Sequence, residues 1–247
     1  QTAGVVIPFE HRFEGTTTMT MSVINVDQLL ARATHSRPYL EAGAQDPLQN
    51  TIEATGETVS FDPNEEIYAE EDLSLYLYKV RKGTVRICRL LEDGRRQISA
   101  FLVPGDMFGL ELGDCHSFSA EAVEACEISM FDRRGVQALA QINNSVAMRL
   151  WELTAQSGRR LQEHILLLGR MTAKAKVATF LLSLADRIGV TELRLAMARH
   201  DIGDHLGLTL ETVSRTLTQL ENEGFIRMRG ARAIDIMNSS ALKRLAA

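Results

Sequence analysis

The sequence predicts an α+β chain. An N-terminal β-roll of the jelly-roll kind is followed by one long helix and a C-terminal winged helix-turn-helix. Three observations predict it. Residues 49–131 read as short strands separated by turn residues. Residues 143–168 repeat apolar side chains at threes and fours. Residues 201–223, DIGDHLGLTLETVSRTLTQLENE, parse as two helices joined by a tight turn. These divide the chain into an arm, partly flexible, at 1–45, a β-roll at 46–142, a long helix at 143–169 and a C-terminal domain at 170–247.

Along the arm periodicity is weak: a short helix is expected near 26–32, and Pro38 and Pro47 interrupt helices. Strand alternation is clear in LSLYLY at 73–78 and in TVRICRL at 84–90, where Val85, Cys88 and Leu90 are the apolar members. Asp93-Gly94 supplies hairpin-turn geometry between two strands, while Gly83, Pro104-Gly105 and Gly109 mark further turns. In the long helix, Val146, Leu150, Leu153, Ser157, Leu161, Ile165 and Leu168 form one seam. That spacing fits a coiled-coil dimer, and equally a single amphipathic helix buried on its own domain. An apolar helix is expected over 172–188, then a strand at 193–197, and residues 224–236 alternate through a Gly-Ala turn as a wing.

The two-helix stretch carries the chemistry. Ile202 and Leu206 share a face of the first helix, and Gly207 fits its C-terminal left-handed position. Thr209 is a natural N-cap for the second, whose inward stripe is Val213, Leu217 and Leu220. Leu210, Glu211, Ser214 and Arg215 are thereby turned outward in the first turn and a half. Arg215 can donate twice to guanine O6 and N7, and Glu211 can accept from cytosine N4. Leu210 suits a thymine methyl, and Ser214 a base or a phosphate. Arg199, Thr209, Thr212 and the wing residue Arg232 are candidate phosphate contacts. The same spacing also fits an i,i+4 ion pair between Glu211 and Arg215 on an ordinary helix hairpin, and the wing arginines a solvated face.

Bulk numbers fit this division. The 247 residues suffice for two cores, and the net charge of −5 is unevenly spread. From Arg170 onward there are 12 Lys+Arg against 8 Asp+Glu, leaving 15 against 24 in the rest. A basic module attached to an acidic domain suits double-stranded DNA as a partner. Three cysteines, Cys88, Cys115 and Cys126, form no C-x-x-C pair, so neither a disulfide framework nor a zinc site is expected. No apolar run spans a bilayer and the N-terminus lacks a secretory signal, so a cytoplasmic chain without membrane attachment is expected. Nucleophile–base pairs, phosphate-cradling loops and metal triads are missing from the pattern, which argues against an enzyme.

The run LRLAMARHDIGDHLGLTLETVSRTLTQLENEGFI resembles the DNA-binding domain of the CRP/FNR family of bacterial transcription regulators, and its Glu-x-x-Ser-Arg helix that of the FixK branch. YLYKVRKG and LVPGDMFG are similar to that family's cyclic-nucleotide-binding-like β-roll. The resemblance implies a homodimer joined along the long helix, reading a palindrome with TTGA-type half-sites. It further implies an activator contacting RNA polymerase, in microoxic respiration, denitrification or nitrogen fixation. In cAMP-binding relatives a Glu holds the ribose and an Arg the cyclic phosphate. Within GLELGDCHSFSAEA, Glu111 falls at the first place and Phe118, followed by Ser119, at the second. Burying a phosphate anion with no cation beside it is strongly unfavourable, so no cyclic nucleotide is expected. No cysteine precedes Cys88, where FNR proteins carry their N-terminal cluster ligands, and no cofactor is expected. The alternative is a ligand-gated regulator whose β-roll binds another small effector.

Overall fold

The computed structural model describes residues 56–246 apart from Leu112 and Met171; the expected arm at 1–45 and its helix near 26–32 lie outside the described residues. The β-roll comprises β1 (Glu57–Phe61), β2 (Glu66–Tyr68), β3 (Tyr76–Lys82), β4 (Val85–Leu90), β5 (Arg96–Leu102), β6 (Met107–Phe108), β7 (Ser119–Ala122) and β8 (Cys126–Asp132). They form two antiparallel sheets in the orders β1-β8-β3-β6 and β2-β7-β4-β5. Val80, Val85, Ala120, Ala122 and Ile128, all fully buried, fill the space between them with Tyr68, Tyr78 and Phe108. Each valine or isoleucine side chain so removed from water is worth about 1.5–3 kcal/mol. Gly83 joins β3 to β4 at φ +85°, where a Cβ would stand 2.6 Å from the Ala125 carbonyl oxygen, so only glycine fits this turn.

Two alternation patterns depart from expectation. In LSLYLY, Leu73 and Leu75 are exposed, and β3 starts only at Tyr76. Within it Leu77 and Tyr78 are both buried, because one face meets the sheet sandwich and the other the helices that follow. In β4, Val85 and Cys88 are buried but Leu90 is exposed. Cys88, three residues from Val85, lies on the opposite face of β4, turned out of the β-roll core and into the core of the C-terminal domain, while the register shift against β5 places the extra residue, Ser99, in β5.

Helix α1 (Arg133–Ile142) is capped by Asp132, whose carboxylate accepts the Gly135 N–H at 2.6 Å. Helix α2 (Asn144–Arg170) follows, then α3 (Ala173–Ile188), capped by Thr172 and ended by Gly189 in the left-handed conformation. β9 (Glu192–Arg194), α4 (Arg199–Leu206), α5 (Leu210–Asn222), β10 (Ile226–Met228), β11 (Ala233–Ile236) and α6 (Ser239–Ala246) complete the chain. The wing hairpin β10–β11 is joined by β9 in one antiparallel sheet of order β10-β11-β9. Where a strand is expected at 193–197, β9 ends at Arg194, although the Leu195 N–H still reaches the Arg232 carbonyl at 2.7 Å.

The seam expected along α2 divides along the length of the helix. Val146 and Leu153 are buried and Leu150 half-buried, packed with Leu77, Phe131 and Val136 of their own chain. Leu168 packs half-buried against the C-terminal core. Ser157, Leu161 and Ile165 stay exposed. The exposed side instead gathers Met148, Trp151, Leu161 and Ile165, with Trp151 70% exposed. Within one chain, Val146 and Leu153 are thus taken up by their own core, and Leu150 in part.

Candidate nucleic-acid interface

Helices α4 and α5 are locked into one unit by their turn. Gly207 ends α4 at φ +62° and ψ +43°, a left-handed C-cap. Gly203, one turn earlier, lets the chain fold back: a Cβ there would stand 2.6 Å from the Leu208 carbonyl oxygen. Thr209 caps α5 by accepting the Thr212 N–H at 3.2 Å, and its hydroxyl is 3.1 Å from that of Thr212. Ile202, Leu206, Val213, Leu217 and Leu220 are buried together, so α5 has no freedom to roll on α4.

Outside that core, the first turn and a half of α5 faces solvent. Leu210, Glu211 and Arg215 are exposed and Ser214 is half-buried. The Glu211 carboxyl is held below the ordinary carboxylate range by its own backbone N–H and the Thr209 hydroxyl, with a smaller contribution from Arg215. Both oxygens are therefore acceptors at neutral pH. An open hollow of about 610 Å³ runs on along the helix, lined by Ser214, Arg215, Thr218, Gln219, Asn222 and Glu223. Lys174 of α3 pairs with Glu223 and lies 5.5 Å from the Phe225 ring centroid, fixing the far end of α5 to the domain.

The expected phosphate contacts are in different situations. Arg199 opens α4, half-buried, with a terminal nitrogen 4.0 Å from Met228 Sδ of the wing. The Met228 N–H in turn donates to Glu221 of α5 at 2.8 Å, so Arg199, the wing and α5 adjoin one another. Thr209 and Thr212 stand at the start of α5, their hydroxyls already engaged with each other. Arg232 donates to the Ala196 carbonyl at 3.2 Å and ties the wing to the strand side. Arg229 pairs with Asp235 at 2.6 Å, whereas Arg227 is exposed on β10.

In the β-roll, Glu111 lies 2.9 Å from Nδ1 of the buried His116, which stacks on Tyr68 with ring centroids 3.6 Å apart. Tyr78 and Phe108 stack beside them at 5.0 Å. Burial drives the Tyr68 hydroxyl far above its ordinary pKa and raises that of Tyr78 to about 12. Phe118 lies 6.0 Å from the guanidinium of Arg89, which pairs with Glu70 at 2.5 Å. Burial also pushes the Cys88 thiol up to about 12 and raises Cys126, leaving both as weakly acidic core groups; Cys115 is exposed.

Several residues important to this geometry carry no sequence signal. Asp201 is 3% exposed and takes arginines from the β-roll, about a hundred positions earlier in the chain. His164 and His205 stack at 4.2 Å between α2 and α4. Gly203 alone was legible in principle, as a glycine inside a helix just before a tight turn.

Residues 175–245 match the family described as Crp-like helix-turn-helix domain, and residues 58–143 the cyclic nucleotide-binding domain. With the exposed α5 face and the wing, this defines a DNA-binding transcription regulator, and the chain belongs to the CRP/FNR family. It is similar to the nitrogen fixation regulation protein FixK of Azorhizobium caulinodans, 47% identical over 200 residues that cover 78% of this chain and 81% of that protein. FixK of Rhizobium meliloti is 45% identical over 187 residues, covering 75% and 85%. The structure of FixK2 from Bradyrhizobium japonicum matches with a TM-score of 0.76 at 46% identity, over 78% of this chain and 98% of that one. These relatives are regulators, and the chain is not an enzyme. No helix among the described residues is long and apolar enough to cross a membrane.

Proposed function

We propose that the chain is a homodimeric transcription activator that reads a TTGA-type palindrome without a bound effector. The single observation that carries this reading is the exposed face of α5, with an ionised Glu211, Ser214 and Arg215 within two turns of the helix start. Arg215 selects guanine and Glu211 cytosine, while Leu210 covers a thymine methyl. Arg199, Thr209, Thr212 and the exposed wing residue Arg227 take phosphates, and Arg232 has only its remaining N–H groups to offer. Two chains meet along Met148, Trp151, Leu161 and Ile165, an apolar stripe that stays open to water in one chain. Exposed Gly158, where a Cβ would meet nothing within 4 Å, lies between its two halves. A two-fold pair presents its recognition helices roughly one DNA turn, ~34 Å, apart.

The packing of the β-roll supports activity without an effector. Glu111 is engaged by His116, and the resemblance puts Phe118 where cAMP-binding relatives carry an arginine. The names of the FixK relatives point to control of nitrogen fixation; that this control is exerted in the cytoplasm and through RNA polymerase is what the family resemblance implies. A gel shift of the purified, metal-free chain on a TTGA-N6-TCAA duplex, with and without reductant, tests the proposal. Sequence-specific retardation without additive is the expected result. Indifference to sequence, or binding only after a cyclic nucleotide has raised the thermal midpoint, would favour a ligand-gated regulator instead.

A further inference from the structure

Three consecutive residues of β5 reach the first helix of the DNA-binding motif. Arg96 donates to Asp204 Oδ2 through Nε at 3.1 Å and a terminal nitrogen at 2.9 Å, and also pairs with Asp201. Gln97 donates to the Asp204 carbonyl at 2.9 Å. The Ile98 carbonyl accepts the Nδ1–H of His205 at 3.0 Å. Beneath these bonds Cys88, Ile98, Phe101 and Val103 of the β-roll belong to the same buried cluster as Ile202, Leu206, Val213 and Leu217.

Asp201 is the centre of this contact. It is 3% exposed, and its Oδ2 accepts the Ala198 N–H at 3.1 Å, the reciprocal half of a capping box whose other half an alanine cannot make. Its Oδ1 faces Arg96, Arg86 at 3.6 Å and His200 at 3.2 Å. Arg86, itself buried, is held by Glu121 of β7. A carboxylate so buried requires its cations, and removing one of them leaves a buried charge uncompensated. A second ionic contact lies elsewhere on the same interface: Asp106 takes Arg160 of α2 at 2.9 Å and pairs with Arg187 of α3, whose guanidinium also reaches the Phe101 carbonyl at 2.9 Å.

Since α5 cannot roll on α4, whatever orients α4 on the β-roll also orients the recognition helix. We propose that Arg96 is a positioning residue for DNA reading: through Asp201 and Asp204 it fixes the direction of α5 relative to the β-roll and to α2. It thereby sets the distance between the half-sites that a dimer accepts. This rests on the proposed palindromic reading, but neither Arg96 nor its partners is placed at the DNA.

The test uses the full chain and four duplexes: the palindrome, the same palindrome with its spacer shortened or lengthened by two base pairs, and a single half-site. Wild type is expected to favour the correct spacer by about tenfold or more. Arg96→Ala is expected to bring the three palindromes to near parity while half-site affinity stays within about twofold of wild type. Retention of the wild-type spacer preference would overturn the inference, as would an equal loss on every duplex, the mark of a merely structural residue. Asp204→Asn, which leaves Arg96 and Asp201 paired, is expected to weaken the preference in the same direction but less. If Arg96→Ala does not fold, an unchanged preference in Asp204→Asn overturns the inference by itself. Wild type that binds none of the duplexes would instead sink the palindromic reading, and is distinguishable because no variant is involved.

Discussion

Helices α4 and α5 are neighbours in the sequence, each with a carboxylate in its first turn, yet the two acids have opposite fates. Asp201 of α4 is buried and surrounded by Arg96, Arg86 and His200. Glu211 of α5 is exposed and stays ionised through its own helix N-terminus and Thr209. The first organises the chain, whereas the second is left for something outside it. Charged groups that the fold has already satisfied hold architecture; groups kept ionised but unburied mark where a partner arrives.

Three measurements can break or sharpen that contrast. The largest effect is expected from Asp201→Ala, which takes the shared carboxylate from two β-roll arginines, leaving Arg96 with the carboxylate of Asp204 alone and Arg86 with that of Glu121 alone, and leaves the Ala198 N–H without its acceptor. It should lower unfolding free energy by about 3 kcal/mol in urea titration. A loss below about 0.5 kcal/mol would mean that Asp201 is no more structural than Glu211. Arg215→Ala should leave stability unchanged but cost ~1–3 kcal/mol of binding per half-site and relax the guanine preference. Full discrimination between the TTGA palindrome and a guanine-substituted duplex would remove Arg215 from the reading surface.

The third expected effect is graded with pH. His205 is buried beside His164, with Lys176 and Arg187 also acting on the pair, and burial lowers its pKa from 6.5 to about 4. The unfolded chain therefore takes up this proton before the folded one does. Stability is whole above pH 6.5 and falls as pH drops toward 4, by up to about 1.4 kcal/mol per pH unit for this group. Replacing His205 by Gln should flatten that part of the stability profile, and an unchanged slope would place the acid sensitivity elsewhere.

How much of this was legible depended on the distance over which each residue finds its partner. Gly207, Thr209 and the Asp93-Gly94 turn are satisfied within a few residues, so their local chemistry was enough. Asp201 was not legible as buried, because Arg86 and Arg96 are more than a hundred positions away and composition gives no register between them. The seam of α2 failed for a different reason. A spacing of threes and fours defines a stripe but not what lies opposite each turn: Val146 and Leu153 meet their own chain, whereas Leu161 and Ile165, further along, face solvent. Cys88 shows a related limit in a strand: β4 is covered on both faces, so Val85 and Cys88, on opposite faces, are both buried and the apolar pattern does not tell which core each joins.

The open side of α2 also holds the chain's single tryptophan, Trp151, 70% exposed. Indole emission shifts to the blue when water leaves the ring, and no other residue contributes to that signal. The colour of the protein's own fluorescence, followed through serial dilution, would therefore report whether two chains are together, with no label attached.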